Sequence, residues 1–299
     1  MTAPAIVFTY NRMEQTRRTL EALDANTLAK NTELFIFCDG YRENKPGDEE
    51  KVQQVREYLQ EFAEHNHFKK VTLNFAPKNN GLARSVIAGV TSVIEQYGTV
   101  IVTEDDLVSH KNYLEYMNES LEYYRNNAKI WSISGYSYPL KSLHDREEVY
   151  FTYRGSSWGW ATWKDRWDTV DWEVKDYPGV LFHPRRMKNL NDSGRDLFVM
   201  LRDQRRGIID SWAVRWVFEQ TRNHLVTVYP PKTFVYNIGF DGSGTHTGDD
   251  GNDTYDSLEE IPYRLTTPKY EPEILTEFAQ YYEDPYLHIK QKYKPGREL

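Results

Sequence analysis

Short apolar runs alternate with longer amphipathic segments through the first third of the chain. The runs have the length and composition of buried strands and lie at residues 5–9, 34–38, 71–75 and 99–103. The amphipathic segments between them predict helices at residues 12–28, 48–65 and 81–97. Because strands that alternate with helices build parallel sheets, the first third predicts an α/β fold.

The pattern changes beyond residue 108. One helix (113–126) and one short strand (130–134) precede a stretch rich in Trp and Gly and two further helical patterns. Gly, Asp and Thr dominate residues 239–253, which predicts a mobile loop. The tail contains one amphipathic helix at 273–282. The second half is therefore predicted to differ in kind from the parallel first half.

Composition narrows the class of protein. The chain has 299 residues, 39% of them hydrophobic, so it can bury a sizeable core. Its net charge of -8 is spread along the sequence, which argues against a nucleic-acid partner. The single cysteine, Cys38, excludes an internal disulfide and favours a reducing compartment. With no signal-like start and no apolar run of about 18 residues, we expect a cytoplasmic protein without a transmembrane segment, and peripheral contact with the inner face of the membrane is left open.

Polar residues follow each of the four predicted strands. They are Tyr10-Asn11-Arg12, Asp39-Gly40, Asn79-Asn80-Gly81 and Glu104-Asp105-Asp106. Ligands of open α/β sheets bind beyond the carboxyl ends of the strands, so these segments are the first candidates for a binding site. Arg12, at the first strand end, and Arg84, near a helix start, are the arginines best placed to meet phosphate.

The three consecutive carboxylates of Glu104-Asp105-Asp106 are the strongest single signal. They repel one another unless a cation compensates, and Mg²⁺ or Mn²⁺ typically bridges one or two carboxylates to the phosphates of a substrate. A diphosphate donor fits this need. The alternative is that Asp105 or Asp106 caps a helix that begins near Ser109.

Asp210 is the candidate general base. It precedes the aromatic segment Ser211-Trp212-Ala213-Val214-Arg215-Trp216, where we expect a partly buried carboxylate that could take a proton from an acceptor hydroxyl. Helix capping alone would also explain an Asp at this place.

Tryptophan and glycine alternate between residues 155 and 163. The glycines allow close approach of the backbone to a ligand, and Trp158 and Trp160 offer apolar faces for sugar rings. Core packing is the alternative for each individual Trp. A histidine, His246, lies in the loop at 239–253, where it could ligate a metal or touch phosphate, and we expect this loop to close over an activated donor.

In their order and spacing, these segments resemble the GT-A glycosyltransferases, most closely bacterial relatives of the N-acetylglucosaminyltransferase I type. The resemblance covers residues 4–247. It rests on Ile6-Val7-Phe8-Thr9-Tyr10-Asn11-Arg12, Cys38-Asp39-Gly40, Glu104-Asp105-Asp106, Ser157-Trp158-Gly159-Trp160 and Asp210-Ser211-Trp212.

The resemblance implies a GT-A type fold, in which a Rossmann-like nucleotide-binding half (1–108) with a mixed, mainly parallel sheet joins an acceptor-binding half (109–248). A single catalytic domain would span residues 1–248 and a loop and helical tail residues 249–299. The implied reaction is inverting transfer from a nucleotide diphosphate sugar, with UDP as the expected nucleotide. The expected acceptor is a polysaccharide, a lipid-linked glycan or a glycoprotein.

The resemblance also assigns roles to residues. Asp106 and His246 would ligate Mn²⁺ or Mg²⁺, and Asp210 would be the base. Donor contacts are expected from Thr9, Tyr10, Asn11, Arg12, Asp39, Gly81, Arg84, Glu104 and Asp105. Acceptor contacts are expected from Trp158, Gly159, Trp160 and Trp212.

Three alternatives stay open at this point. A retaining glycosyltransferase could share the same fold. A nucleotidyltransferase would share the acidic metal site but usually carries a Gly-rich basic loop where this chain has Tyr10-Asn11-Arg12. A non-catalytic nucleotide- or sugar-binding module could keep the tryptophans and the metal but would not need Asp210.

Overall fold

The computed structural model describes residues 2–239 and 260–284. The strands are β1 (Ala5–Thr9), β2 (Glu33–Cys38), β3 (Lys70–Phe75), β4 (Thr99–Glu104), β5 (Leu107–Ser109), β6 (Ile130–Ser134), β7 (Tyr150–Thr152), β8 (Trp160–Trp163), β9 (Val226–Tyr229) and β10 (Val235–Asn237). The helices are α1 (Met13–Asp24), α2 (Asp48–Glu64), α3 (Leu82–Tyr97), α4 (Tyr113–Tyr124), α5 (Lys164–Trp167), α6 (Tyr177–Leu181), α7 (Pro184–Asp192), α8 (Asp196–Arg205), α9 (Trp212–Arg222) and α10 (Pro272–Gln280). Within these residues, none of the helices combines the length and the apolar character needed to cross a bilayer.

One eight-stranded sheet runs through the molecule in the order β3-β2-β1-β4-β8-β6-β9-β7. The strands from β3 to β4 are all parallel, whereas β8 is antiparallel to both of its neighbours. A second, two-stranded sheet pairs β10 with β5. The predicted α/β class and the predicted mixed, mainly parallel sheet are thereby confirmed.

The predicted elements of the parallel half are found with small shifts in their ends. The largest shift is in α1, which stops at Asp24 rather than Leu28. Asn26 explains the early end, because its side-chain amide donates to the Ala22 carbonyl oxygen (2.9 Å) and its Oδ1 accepts the N–H of Leu114 (3.0 Å). These bonds tie the chain to α4 and turn it away from the helix axis.

Helices cover both faces of the large sheet. On one face α1, α2 and α4 bury aliphatic and aromatic residues against the strands. On the other face α3, α8 and α9 do the same around a tryptophan cluster, which consists of Trp131, Trp160, Trp167, Trp212 and Trp216. Trp160 is its centre, with ring centroids 4.6 Å from Trp216 and 5.2 Å from Trp212. The cluster fixes α9 against the central strands.

Trp160→Ala is expected to lower the free energy of unfolding by about 3–5 kcal/mol, because it opens a large cavity at the centre of the tryptophan cluster. Urea denaturation measures this loss. Trp172→Ala is the control, since Trp172 is only half-buried and packs at the rim of the cluster against Trp167. Equal losses in the two variants would contradict the central role of Trp160.

Candidate functional site

The carboxyl ends of the parallel strands lie side by side. Thr9 pairs with Cys38 across β1 and β2, and Phe8 pairs with Glu104 across β1 and β4. The polar segments that follow these strands therefore meet at one edge of the sheet, as expected for an open α/β sheet. This edge is the candidate site.

Arg12 joins the acidic residues at this edge. It lies immediately before α1, and its Nη2 contacts Asp105 Oδ1 and Asp106 Oδ2, the latter at 2.8 Å. Both aspartates are buried, with 4% and 9% of their surface exposed. Desolvation raises the pKa of Asp105, and the Arg12 guanidinium opposes that rise. Desolvation, together with repulsion from Asp106 and Asp105, also raises the pKa of Glu104.

Asp106 lies in the turn between β4 and β5 rather than at the start of a helix. Its carbonyl oxygen accepts the N–H of Ile238 (2.8 Å), at the end of the β5–β10 pair. Residues 107–109 form strand β5, and α4 begins only at Tyr113 after Asn112. The alternative that Asp105 or Asp106 caps a helix near Ser109 is therefore wrong.

One oxygen of Asp106 is uncommitted. Among the described residues, no hydrogen-bond donor reaches the buried Oδ1. Within residues 2–239 and 260–284, no group of three or more His, Cys, Asp or Glu side chains is arranged so that it could coordinate a metal ion. A single carboxylate oxygen completed by substrate phosphates is a common way to hold Mg²⁺ or Mn²⁺, so Asp106 fits such an ion. The other predicted ligand, His246, lies outside the described residues, as do residues 240–253 of the expected lid.

Asp39 organises the neighbouring strand ends. Its carboxylate accepts backbone N–H groups of Gly40 (2.9 Å), Asn80 (2.9 Å) and Gly81 (3.0 Å). Gly81 has φ +80° and directly precedes α3, so Asp39 satisfies free N–H groups at the start of that helix. Arg84 is exposed on the first turn of the same helix.

Asp48 is a site residue that the sequence did not single out. This buried residue accepts hydrogen bonds from the Tyr10 hydroxyl, from Asn11 Nδ2 (2.6 Å) and from the Arg42 backbone N–H (2.8 Å). It thus ties the segment after β1 to the loop after β2. Asp48 stands in an acidic run with Glu49 and Glu50, and nothing in the sequence distinguishes it from them.

Asp48→Asn is expected to cost about 1–3 kcal/mol of stability at pH 7, and the difference from the unaltered protein should shrink at pH 3. Burial alone would raise the pKa of Asp48, but the hydrogen bonds from Tyr10, Arg42 and Asn11 lower it below its ordinary 3.8. Its contribution is therefore complete above about pH 4 and is lost as the pH falls through the lower, folded-state pKa. Urea denaturation at both pH values checks this, with the exposed Glu50→Gln as control. A difference that does not depend on pH would contradict it.

Asp210 is more exposed than predicted. Its side chain is 69% exposed and forms an ion pair with Arg215 (2.8 Å). The helix cap is Ser211, whose Oγ accepts the N–H of Val214 (3.3 Å). The expectation of a partly buried Asp210 and the capping alternative are both wrong. Two residues further along, Trp212 stacks on Trp160, which pairs with Val102 in β4.

The predicted acceptor residues fall into two groups. Trp160 and Trp212 are 1% and 2% exposed within the tryptophan cluster, so core packing is their role here and their indoles cannot contact a sugar in this conformation. Trp158 is half-buried and packs against Tyr136 with ring centroids 4.7 Å apart. Gly159 has φ +58°, and a Cβ there would lie 2.9 Å from the Tyr113 hydroxyl, which explains the need for glycine.

Thr9 is the predicted donor residue whose side chain points away from the site edge. It is buried, and its hydroxyl donates to the Phe37 carbonyl oxygen over 3.4 Å. The other predicted residues of this segment, Tyr10 and Asn11, are only partly buried and are oriented by Asp48.

Similarity to known proteins is found in solved structures and not in family models or curated sequences. No protein-family model matches the chain, and no curated protein matches it. Among solved structures, the chain is similar to the mannosyltransferase PcManGT from Pyrobaculum calidifontis in complex with GDP-Man and Mn²⁺, at 11% identity and a TM-score of 0.38, over 55% of this chain and 46% of that one.

The chain is also similar to two structures of S. aureus TarS. Residues 1–349 of TarS match at 13% identity and a TM-score of 0.43, over 79% of this chain and 60% of that one. The longer TarS structure matches at 13% identity and a TM-score of 0.42, over 81% of this chain and 38% of that one. The chain spans less than two thirds of the length of each of these three structures. Similarity of this degree identifies neither an activity nor a ligand for this chain.

Proposed function

We propose that this protein is a metal-dependent, inverting glycosyltransferase that moves a sugar from a nucleotide diphosphate donor, with UDP as the expected nucleotide, to a hydroxyl of a glycan acceptor. The observation that carries the proposal is the buried pair Asp105 and Asp106 at the end of β4, with one uncommitted Asp106 oxygen beside Arg12. A buried acidic pair needs cationic partners, and a metal-bound diphosphate brings one to a strand end where nucleotides commonly bind.

The residues around the acidic pair would each contact a different part of the donor. Asp106 would hold Mn²⁺ or Mg²⁺, which when bound neutralises the charge that develops on the departing diphosphate. Arg12 binds the diphosphate, while Glu104 and Asp105 accept hydrogen bonds from the ribose and the sugar. The segments at Tyr10–Asn11 and at Asp39 enclose the base, and Asp48 keeps the first of these segments in place.

Asp210 is the proposed general base. It takes the proton of the acceptor hydroxyl while that oxygen attacks the anomeric carbon, and the bond from this carbon to the phosphate oxygen breaks. Its exposure keeps the carboxylate reachable, and its ion pair with Arg215 orients it. Arg215 is fixed in turn by the carbonyl oxygens of Ser211 (3.0 Å) and Trp172 (3.2 Å).

The acceptor binds on the side of Trp158 and Gly159. Polysaccharides, lipid-linked glycans and glycoproteins all offer the hydroxyl that the reaction needs. We place the reaction in the cytoplasm, where nucleotide sugars would meet such acceptors, and contact with the inner face of the membrane is compatible with the proposal.

Donor turnover tests the proposal without knowledge of the acceptor. The protein is incubated with each common nucleotide sugar and Mn²⁺, and release of the nucleoside diphosphate through slow transfer to water is measured. Release of one nucleotide, abolished by a chelator, is expected. The anomeric configuration of the freed sugar, followed by ¹H NMR at early times, should be inverted. A retained configuration would favour a retaining enzyme, and no release with any donor would favour a binding module.

A further inference from the structure

Arg12 lies next to Asp106, where a metal ion would be expected to compensate the negative charge of the carboxylates. Its Nη2 lies between Asp105 Oδ1 and Asp106 Oδ2, and its side chain is only 16% exposed. Desolvation alone would disfavour the charged guanidinium, but the two carboxylates outweigh it and raise the Arg12 pKa further. Arg12 therefore supplies one positive charge between the two carboxylates.

The surroundings leave little room for a second cation beside Arg12. A Cβ added to Gly239 would clash with Asp106 Oδ2 and would lie 2.9 Å from Arg12 Nη1, so the backbone at Gly239 covers this ion pair. A divalent ion at Asp106 would stand within a few ångströms of the guanidinium, and like charges at that distance repel strongly in a buried setting.

Different contacts hold the backbone and the side chain of Arg12. The Arg12 carbonyl oxygen accepts the N–H of Thr16 (3.0 Å) and the Thr16 hydroxyl (2.7 Å), which anchor the residue at the start of α1. Among the described residues, Asp105 and Asp106 are the side chains that pair with the guanidinium. A phosphate group can offer a guanidinium two charged oxygen acceptors, as the two aspartates together do.

From this arrangement we infer that Arg12 blocks the metal position of the ligand-free protein and yields it only when a diphosphate arrives to take over the guanidinium. Asp106 would then hold the metal ion in place of Arg12, and Arg12 would bind phosphate oxygens in place of Asp106. Metal and diphosphate consequently bind as a pair, and the metal alone binds weakly. The release of Arg12 by a diphosphate rests on the proposed function. The blocking of the metal position by Arg12 rests on the ion pair alone.

Binding of Mn²⁺ in the absence of any nucleotide tests the inference. Free Mn²⁺ is measured by electron paramagnetic resonance for the unaltered full chain and for Arg12→Gln. The variant is expected to bind Mn²⁺ on the order of tenfold more tightly, because removal of the guanidinium frees two carboxylates for the ion. Unchanged or weaker Mn²⁺ binding by Arg12→Gln would overturn the inference.

Arg146→Gln is the matched control. Arg146 is also 16% exposed and paired with a carboxylate, Glu271 (2.7 Å), but it lies outside the candidate site, so this variant should bind Mn²⁺ like the unaltered protein. Should Arg12→Gln fail to fold, Arg12→Lys gives the same comparison with a smaller gain, since lysine keeps the positive charge but offers fewer donors in a different geometry.

The two halves of the proposal can fail separately. Addition of a nucleoside diphosphate to the unaltered protein should tighten Mn²⁺ binding, and should do so less in Arg12→Gln. If no nucleoside diphosphate has any effect while Arg12→Gln still gains Mn²⁺ affinity, the proposed donor site is wrong and the blocking role of Arg12 stands. If nucleotides tighten Mn²⁺ binding but Arg12→Gln gains nothing, the donor site stands and the blocking role is wrong.

Discussion

Asp106→Ala is expected to lower kcat/KM for sugar transfer about 10³-fold, since a metal that stabilises the leaving diphosphate supplies several kcal/mol to the transition state. The variant loses Asp106 Oδ1, the buried oxygen at the site edge that no donor among the described residues reaches. It should remain folded, because Arg12 keeps its contact with Asp105. Release of nucleoside diphosphate at increasing Mn²⁺ concentration measures the effect.

Asp24→Ala is a suitable control for this experiment. Asp24 is a partly buried carboxylate of the same half of the molecule, where it pairs with His67 (2.7 Å) away from the site edge. It should retain the turnover of the unaltered protein. Turnover by Asp106→Ala that saturating Mn²⁺ restores to normal would show that another group holds the metal.

Asp210→Asn is expected to lower kcat by about 10²–10⁴-fold, the usual range for loss of a general base, while KM for the donor stays within about twofold. Asparagine preserves the volume and can still accept a hydrogen bond from Arg215, so the loss would report the missing base rather than a displaced helix. Initial rates with donor and a transferable acceptor give both constants.

An exposed carboxylate elsewhere in the second half controls for simple loss of surface charge. Asp192 forms a comparable ion pair with Lys188 (2.6 Å), and Asp192→Asn should leave kcat unchanged. If Asp210→Asn kept its kcat, the proton would have to go to another group, and the assignment of Asp210 would be withdrawn.

The parallel half of the fold was predictable because its signals are local. Each strand from β1 to β4 is a short apolar run, and each intervening helix repeats its apolar residues at helical spacing. In the second half, β6 (Ile130–Ser134) was predicted in the same way, but most other strands lack such signals. For example, β5 and β10 contain three residues each and pair across more than 100 residues of sequence, so only the folded chain identifies them.

The site was predictable where it depends on strand ends alone. The meeting of Arg12 with Asp105 and Asp106 follows from the parallel pairing of β1 and β4. Asp48 and Gly239 could not be found in this way, since each reaches the site through a turn of the chain whose course the sequence does not specify.

Neighbouring residues with similar preferences caused the errors at Asp210. Asp and Ser are both favoured helix caps, and the sequence does not show which of Asp210 and Ser211 takes that position. The tryptophans present the same difficulty, because an indole that packs in a core and one that binds a sugar have the same sequence context. Burial alone separates Trp160 from Trp158.

Thermal unfolding with nucleoside diphosphates, with and without Mn²⁺, tests the central claim most directly. A ligand that binds only the native state at about 100 times its Kd adds about 2.7 kcal/mol, which corresponds to a rise in Tm of about 5 °C for a chain of this size. The account predicts such a rise for one nucleotide, with UDP the expected one, that requires Mn²⁺ and disappears in Asp106→Ala. No rise with any nucleotide, or a rise that persists unchanged in Asp106→Ala, would contradict a metal–diphosphate site at the end of β4.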